Sequence, residues 1–131
     1  MPPTGTGRPL SGRRLMLVED QAIIALDVQT TLSEQGADTV AWANGVSQAR
    51  ALLEEESFDA ALLDLHLGSE SGLDLLEEFD RRAIPVILMS GYSSHDREPR
   101  LRGRPLLEKP YSPELLLDTV LRVLGKSETN D

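Results

Sequence analysis

Three short runs of consecutive apolar residues, each closed by a polar side chain, constrain this 131-residue chain more than any other feature. Leu15-Met16-Leu17-Val18 runs into Glu19-Asp20, Ala60-Ala61-Leu62-Leu63 into Asp64, and Val86-Ile87-Leu88-Met89 into Ser90. Such runs are too short for a core helix. Apolar side chains on successive positions of a strand point to opposite sides, so these strands are buried on both faces. A sheet covered on both faces needs helices on both faces, and the intervening sequence has to supply them.

It does so in alternation. After the first strand (Arg14 to Glu19), Ile24, Val28 and Leu32 recur every four residues on a helix running from Gln21 to Gln35, with Asp20 as its cap and Gly36 as its stop. Asp38 to Trp42 reads as a weaker second strand, with Trp42 expected at its far end. Asn44-Gly45 opens a helix that closes in Glu54-Glu55-Glu56. After the third strand, Gly68 and Gly72 bracket a loop, and Leu73 to Arg82 forms a helix carrying Leu73, Leu76 and Phe79. Pro105 to Glu108 is a short fifth strand, and Ser112 and Pro113 are N-cap and first-turn signals for a last helix through Leu124.

The fourth helix is the weak member. Ser94 to Arg104 holds one apolar side chain and a central proline, which predicts a short or irregular segment. It also carries four of the thirteen cationic residues, a local basic patch. Residues 1–12, with three prolines and three glycines, read as a disordered leader, and residues 125–131 as a disordered tail. The domain is therefore residues 13–124, an α/β doubly wound (βα)5 unit.

Composition removes several function classes. With 13 Lys+Arg against 22 Asp+Glu and a net charge of -9, the chain is a poor candidate to hold nucleic acid directly. No cysteine is present, which excludes disulfides, thiolate catalysis and cysteine metal sites. No apolar stretch approaches the roughly 20 residues of a membrane span, and no apolar export segment follows Met1. The expected location is cytoplasmic.

In doubly wound sheets the site lies beyond the carboxyl ends of the strands. The residues there are Glu19 with Asp20, Asp64, Ser90 with Gly91, and Lys109. Like charges about 4 Å apart at an effective dielectric near 20 repel by roughly 4 kcal/mol, so three converging carboxylates call for a cation. Mg2+ suits oxygen ligands, keeps several waters and often shares a phosphate. One carboxylate can then attack phosphorus to form an aspartyl phosphate, with the Lys109 ammonium, the Ser90 hydroxyl and loop N–H groups neutralising the transferring oxygens.

Leu17-Val18-Glu19-Asp20, Leu62-Leu63-Asp64-Leu65, Gly72 eight residues after Asp64, Val86 to Tyr92, and Glu108-Lys109-Pro110-Tyr111 occur in this order. With them the chain resembles the receiver domain of bacterial two-component response regulators. The resemblance implies a flavodoxin-like five-stranded parallel sheet of order 2-1-3-4-5. It implies Asp64 as phosphoacceptor, Asp20 as direct Mg2+ ligand, Glu19 as holder of a metal-bound water, and the His66 backbone carbonyl as a further ligand. Ser90 falls at the switch hydroxyl beside Gly91, Lys109 at the phosphoryl-binding lysine, and the Lys109-Pro110 bond is expected to be cis. A histidine kinase or histidine phosphotransfer protein would be the donor to a stand-alone signalling module, not a turnover enzyme. The chain departs from the family pattern with Gly68 in place of a proline. It departs again with Leu106 in place of the switch aromatic, for which Tyr92 or Tyr111 could substitute.

On the last helix, Leu116, Val120 and Val123 supply one apolar stripe, and Leu117, Leu121 and Leu124 a second, displaced by about 100°. In receivers this region is a usual dimer or target face. Leu106, Leu117 and Leu121 are therefore candidates for a homodimer or downstream-partner surface, the alternative being a wider buried face. His66 reads as a solvent-facing loop side chain, and His95 has no assigned role. Other readings stay open. A metal-dependent phosphatase of the haloacid dehalogenase type would want a second Asp where His66 stands. A flavodoxin-like cofactor binder would need a glycine-rich loop where Glu19-Asp20-Gln21 repels phosphate. A receiver fold that signals without phosphate would have no use for the five-residue site.

Overall fold

The three apolar runs form the middle of one sheet. The computed structural model describes residues 8–67, 70–91 and 103–129. In it, β1 (Arg14–Val18), β3 (Ala60–Asp64) and β6 (Val86–Ser90) lie side by side, flanked by β2 (Thr39–Ala43) and β7 (Leu106–Glu108). All pairings are parallel, in the order β2-β1-β3-β6-β7. Between β3 and β6 the chain adds a small antiparallel hairpin, β4 (His66–Leu67) with β5 (Glu70–Ser71), absent from the sequence reading. With that hairpin set aside, the order is the expected 2-1-3-4-5.

Every residue of β3 and β6 is buried, as is all of β1 except Arg14. Alternate positions feed opposite faces. Met16, Val18, Leu63 and Leu88 meet Ala49 and Leu53 of α2 (Val46–Glu55) and Leu76 and Phe79 of α3 (Leu76–Arg81). Leu15, Leu17, Leu62 and Ile87 meet Ala25, Val28 and Leu32 of α1 (Ala22–Glu34) and Leu116, Val120 and Val123 of α4 (Pro113–Thr129). The two-faced burial inferred from uninterrupted apolar runs is what the sheet displays. The Ser112 hydroxyl accepts the Leu115 N–H at 3.0 Å, so the cap read from the sequence is made.

Four boundaries differ. Asp20 does not cap α1; its N-cap is Gln21, without a side-chain cap bond. The buried stripe of α1 runs through Ala25, Val28 and Leu32, leaving Ile24 half-buried and Ile23 and Leu26 exposed. The helix expected from Leu73 begins instead as a 3-10 turn, Gly72–Leu75, before α3. Finally, α4 passes through Gly125 to Thr129, because Val123 and Leu124 are core residues and Gly125 continues the last turns. The tail expected over 125–131 is helix up to Thr129, and residues 130–131 lie outside the described residues. So does most of the expected fourth helix, together with Tyr92, His95 and Gly68.

The leader is the larger correction. Residues 1–7 lie outside the described residues, but 8–12 form a strap across the end of α1. The Arg8 guanidinium donates to the Glu34 carbonyl at 2.8 Å, a cation at a helix C-terminus whose last turn has no basic residue. The Leu10 N–H donates to the Gln35 carbonyl at 2.9 Å, and Ser11 bridges Ala37. Gly36 turns with φ +103°, and a Cβ there would stand 2.6 Å from the Arg8 Cβ. Leu10 is fully buried in the cluster between α1 and α4. Leu10→Ala should lower the unfolding free energy by about 2–4 kcal/mol in urea titrations. Unchanged stability would show the strap to be an ornament.

Candidate functional site

Parallel pairing brings the carboxyl ends of β1, β3, β6 and β7 together, and with them the polar residues that close the apolar runs. Glu19, Asp64 and Ser90 are buried, while Asp20 is exposed at the mouth. Glu19, Asp20 and Asp64 each offer a carboxylate oxygen within 4.8 Å of the others'. The Lys109 ammonium lies 3.1 Å from Asp64 Oδ2 and 3.5 Å from Glu19 Oε1. Ser90 pairs in register with Glu108, and the Lys109 N–H donates to the Ser90 carbonyl at 2.7 Å, so hydroxyl and lysine are mounted on one ladder. The Lys109-Pro110 bond is cis, and Gly91 follows Ser90 half-buried at the rim.

The chain after β3 folds back on its own carboxylate, with the His66 N–H donating to Asp64 Oδ1 at 2.9 Å. The imidazole of His66 is exposed, as expected of a loop side chain. Close packing behind Asp64 depends on Gly72. A Cβ there would stand 2.7 Å from the Asp64 carbonyl oxygen and 3.0 Å from Leu63 Cδ1, so only glycine lets the 3-10 turn press against the strand end.

Glu19 is the strained member electrostatically. Its Oε2 accepts the Gln21 N–H at 3.2 Å, but among the described residues its buried Oε1 accepts no hydrogen bond, only the 3.5 Å ion pair with Lys109. Burial, reinforced by the Asp64 charge, pushes its carboxyl up to about 7. A buried oxygen that accepts no hydrogen bond among the described residues, within a cluster of three carboxylates beside the Lys109 ammonium, fits a hard divalent cation with oxygen ligands. Asp20, Asp64 and the His66 carbonyl are the groups that could ligate it, with Glu19 behind them.

Three features escaped the sequence reading. Trp42, expected at the far end of the second strand, stands at the site end: β2 runs parallel to β1 with Trp42 opposite Leu17, and its indole N–H donates to the Glu19 carbonyl at 2.7 Å. Strand direction was the available signal. Second, Ile23 and Leu26 stand exposed on α1 and, with Ile24, border a cleft of about 590 Å³ against Lys109, Pro110 and Tyr111. Their position off the buried stripe of α1 was the clue. Third, Tyr111 turns into the core: its hydroxyl lies 3.6 Å from Met89 Sδ, and burial pushes the phenol up to about 12.

The three residues expected to form a partner surface border different halves of the core. Leu106 packs on the α2 and α3 side of the sheet, whereas Leu117 and Leu121 pack half-buried on the α1 and α4 side. Leu124, grouped with the second stripe, is core.

Residues 15–121 match the family model described as the response regulator receiver domain. The alginate biosynthesis transcriptional regulatory protein AlgB of Pseudomonas putida is 33% identical over 108 residues, which are 79% of this chain and 24% of AlgB. The sensor protein TorS of Escherichia coli is 29% identical over 128 residues, 93% of this chain and 14% of TorS. The chain thus spans about a quarter or less of either relative. Among solved structures, a response regulator receiver domain protein (CheY-like) from Methanospirillum hungatei superposes with a TM-score of 0.80 at 26% identity, covering 91% of this chain and 98% of that one.

Gly72→Ala provides a direct check on the packing behind Asp64. It should cost about 1–3 kcal/mol of stability through overpacking, and should weaken Mg2+ binding in calorimetric titration. Wild-type values in both measurements would contradict the close approach.

Proposed function

The chain belongs to the response regulator receiver domain family, and on that premise we propose that Asp64 accepts a phosphoryl group from a phosphohistidine on a histidine kinase or histidine phosphotransfer protein. The observation that carries this reading is the buried Asp64 carboxylate 3.1 Å from Lys109 and within 4.8 Å of the Glu19 and Asp20 oxygens. A carboxylate oxygen of Asp64 attacks phosphorus. The new O–P bond forms as the N–P bond breaks, and its electron pair stays on the imidazole nitrogen, which takes a proton. Asp20, Asp64 and the His66 carbonyl would hold Mg2+, with Glu19 behind them, and the cation would supply positive charge to offset that on the phosphoryl oxygens.

The remaining groups are the chain's own. Lys109 offsets the Asp64 charge before transfer and pairs with a phosphoryl oxygen afterwards. The His66 N–H orients the carboxylate. Ser90 donates to the phosphoryl group and passes the change to β7 through the bond between its carbonyl and the Lys109 N–H. The exposed Ile23 and Leu26, beside Lys109-Pro110-Tyr111, offer an apolar face next to the acceptor against which the donor can seat. The output is a change in protein contacts or onward transfer of the phosphoryl group, with a downstream protein or a second copy as partner, in the cytoplasm. On this reading the domain is a switch, not a turnover enzyme. Among the described residues no helix is long and apolar enough to cross a membrane.

The test is intact mass after incubation with acetyl phosphate and Mg2+. Wild type should gain one phosphoryl group, Asp20→Asn should gain it far more slowly, and Asp64→Asn should gain none. Equal modification of Asp64→Asn would remove the proposed acceptor.

A further inference from the structure

The peptide backbone of Glu19 is held on both sides by strand β2. Its N–H donates to the Ala43 carbonyl at 3.0 Å, continuing the ladder in which Leu17 faces Trp42 and Val18 faces Ala43. Its carbonyl accepts the Trp42 indole N–H at 2.7 Å, at the short end of the range for such bonds. No ladder requires that second bond. It comes from a side chain on an edge strand that remains 37% exposed, so core filling is a poor reason for an indole there.

The Glu19 carbonyl belongs to the peptide that leads into Asp20, and Asp20 is the carboxylate with the least support. Asp64 is gripped by the His66 N–H and Lys109, and Glu19 by burial and the Gln21 N–H. Asp20 is exposed, makes no side-chain hydrogen bond among the described residues, and does not cap α1. Its direction therefore depends on the backbone on which it stands, and the carbonyl of the peptide leading into it is held by the indole.

We propose that Trp42 is a positioning residue of the cation site: its indole N–H holds the Glu19–Asp20 peptide so that the Asp20 carboxylate faces Asp64. This rests on the Mg2+ reading above and adds to it a residue on a neighbouring strand that touches no ligand. Trp42 is also the only tryptophan in the chain, so its emission reports on the same peptide.

Two measurements test it on the full chain, with Mg2+ alone as the probe. Calorimetry should show Trp42→Phe binding Mg2+ about three- to tenfold more weakly than wild type, the effect of one lost hydrogen bond, while without Mg2+ the variant still unfolds cooperatively, with a melting temperature lowered by only a few degrees. In the unmodified chain, Mg2+ should change the Trp42 emission saturably, at the calorimetric midpoint, and Asp20→Asn should abolish the change. Wild-type affinity in Trp42→Phe overturns the proposal, as does a silent emission while calorimetry records binding. Should Trp42→Phe fail to fold, the emission titration decides alone. If wild type takes up no Mg2+ by calorimetry, the cation reading itself falls and this proposal with it.

Discussion

Glu19 and Asp64 bring two carboxylates out of water at the ends of adjacent strands, and Lys109 is the ammonium that faces both. Like charges at about 4 Å and an effective dielectric near 20 repel by roughly 4 kcal/mol, a large fraction of the stability of an ordinary domain. The arrangement survives because the strands are fixed by something else. The residues that place these carboxylates, Leu15 to Val18 and Ala60 to Leu63, are buried on both faces of the sheet. Each large apolar side chain among them contributes about 1.5–3 kcal/mol. An apolar lattice of that size can hold an unfavourable charge distribution ready for a ligand that relieves it.

The sheet divides the labour between its middle and its edges. β1, β3 and β6 lead into Glu19, Asp64 and Ser90, all buried where the core holds the strand ends. The edge strands carry the groups that adjust them, Trp42 on β2 and Lys109 just beyond β7. On the proposed reading, a phosphoryl group on Asp64 draws Lys109 away from Glu19. The pull reaches Ser90 and β7 directly, because the Lys109 N–H is bonded to the Ser90 carbonyl. β7 is a three-residue edge strand, paired on one side only.

Much of this was legible in the residues, and the misses share a cause. Uninterrupted apolar runs identified the central strands, and the residues ending them identified the site, because burial on two faces leaves a pattern no local preference imitates. The strap over 8–12 was unreadable for the opposite reason: Pro9 and Gly12 suggest disorder, and only the far end of α1 supplies partners for Arg8 and Leu10. Residues 125–131 read as a tail, yet α4 runs on to Thr129 beyond the buried Val123 and Leu124. Gly72 was visible as a spacing but not as a contact, since the clash it avoids is with the Asp64 carbonyl eight residues back in the chain.

The central claim is that Asp64, and no other carboxylate of the cluster, forms the bond to phosphorus. Borohydride reduces an acyl phosphate to an alcohol, so treating the phosphorylated chain and mapping its peptides by mass spectrometry marks the acceptor covalently. The account predicts homoserine at position 64, with Glu19 and Asp20 unaltered. Reduction at position 19 or 20 with an intact Asp64 would contradict it.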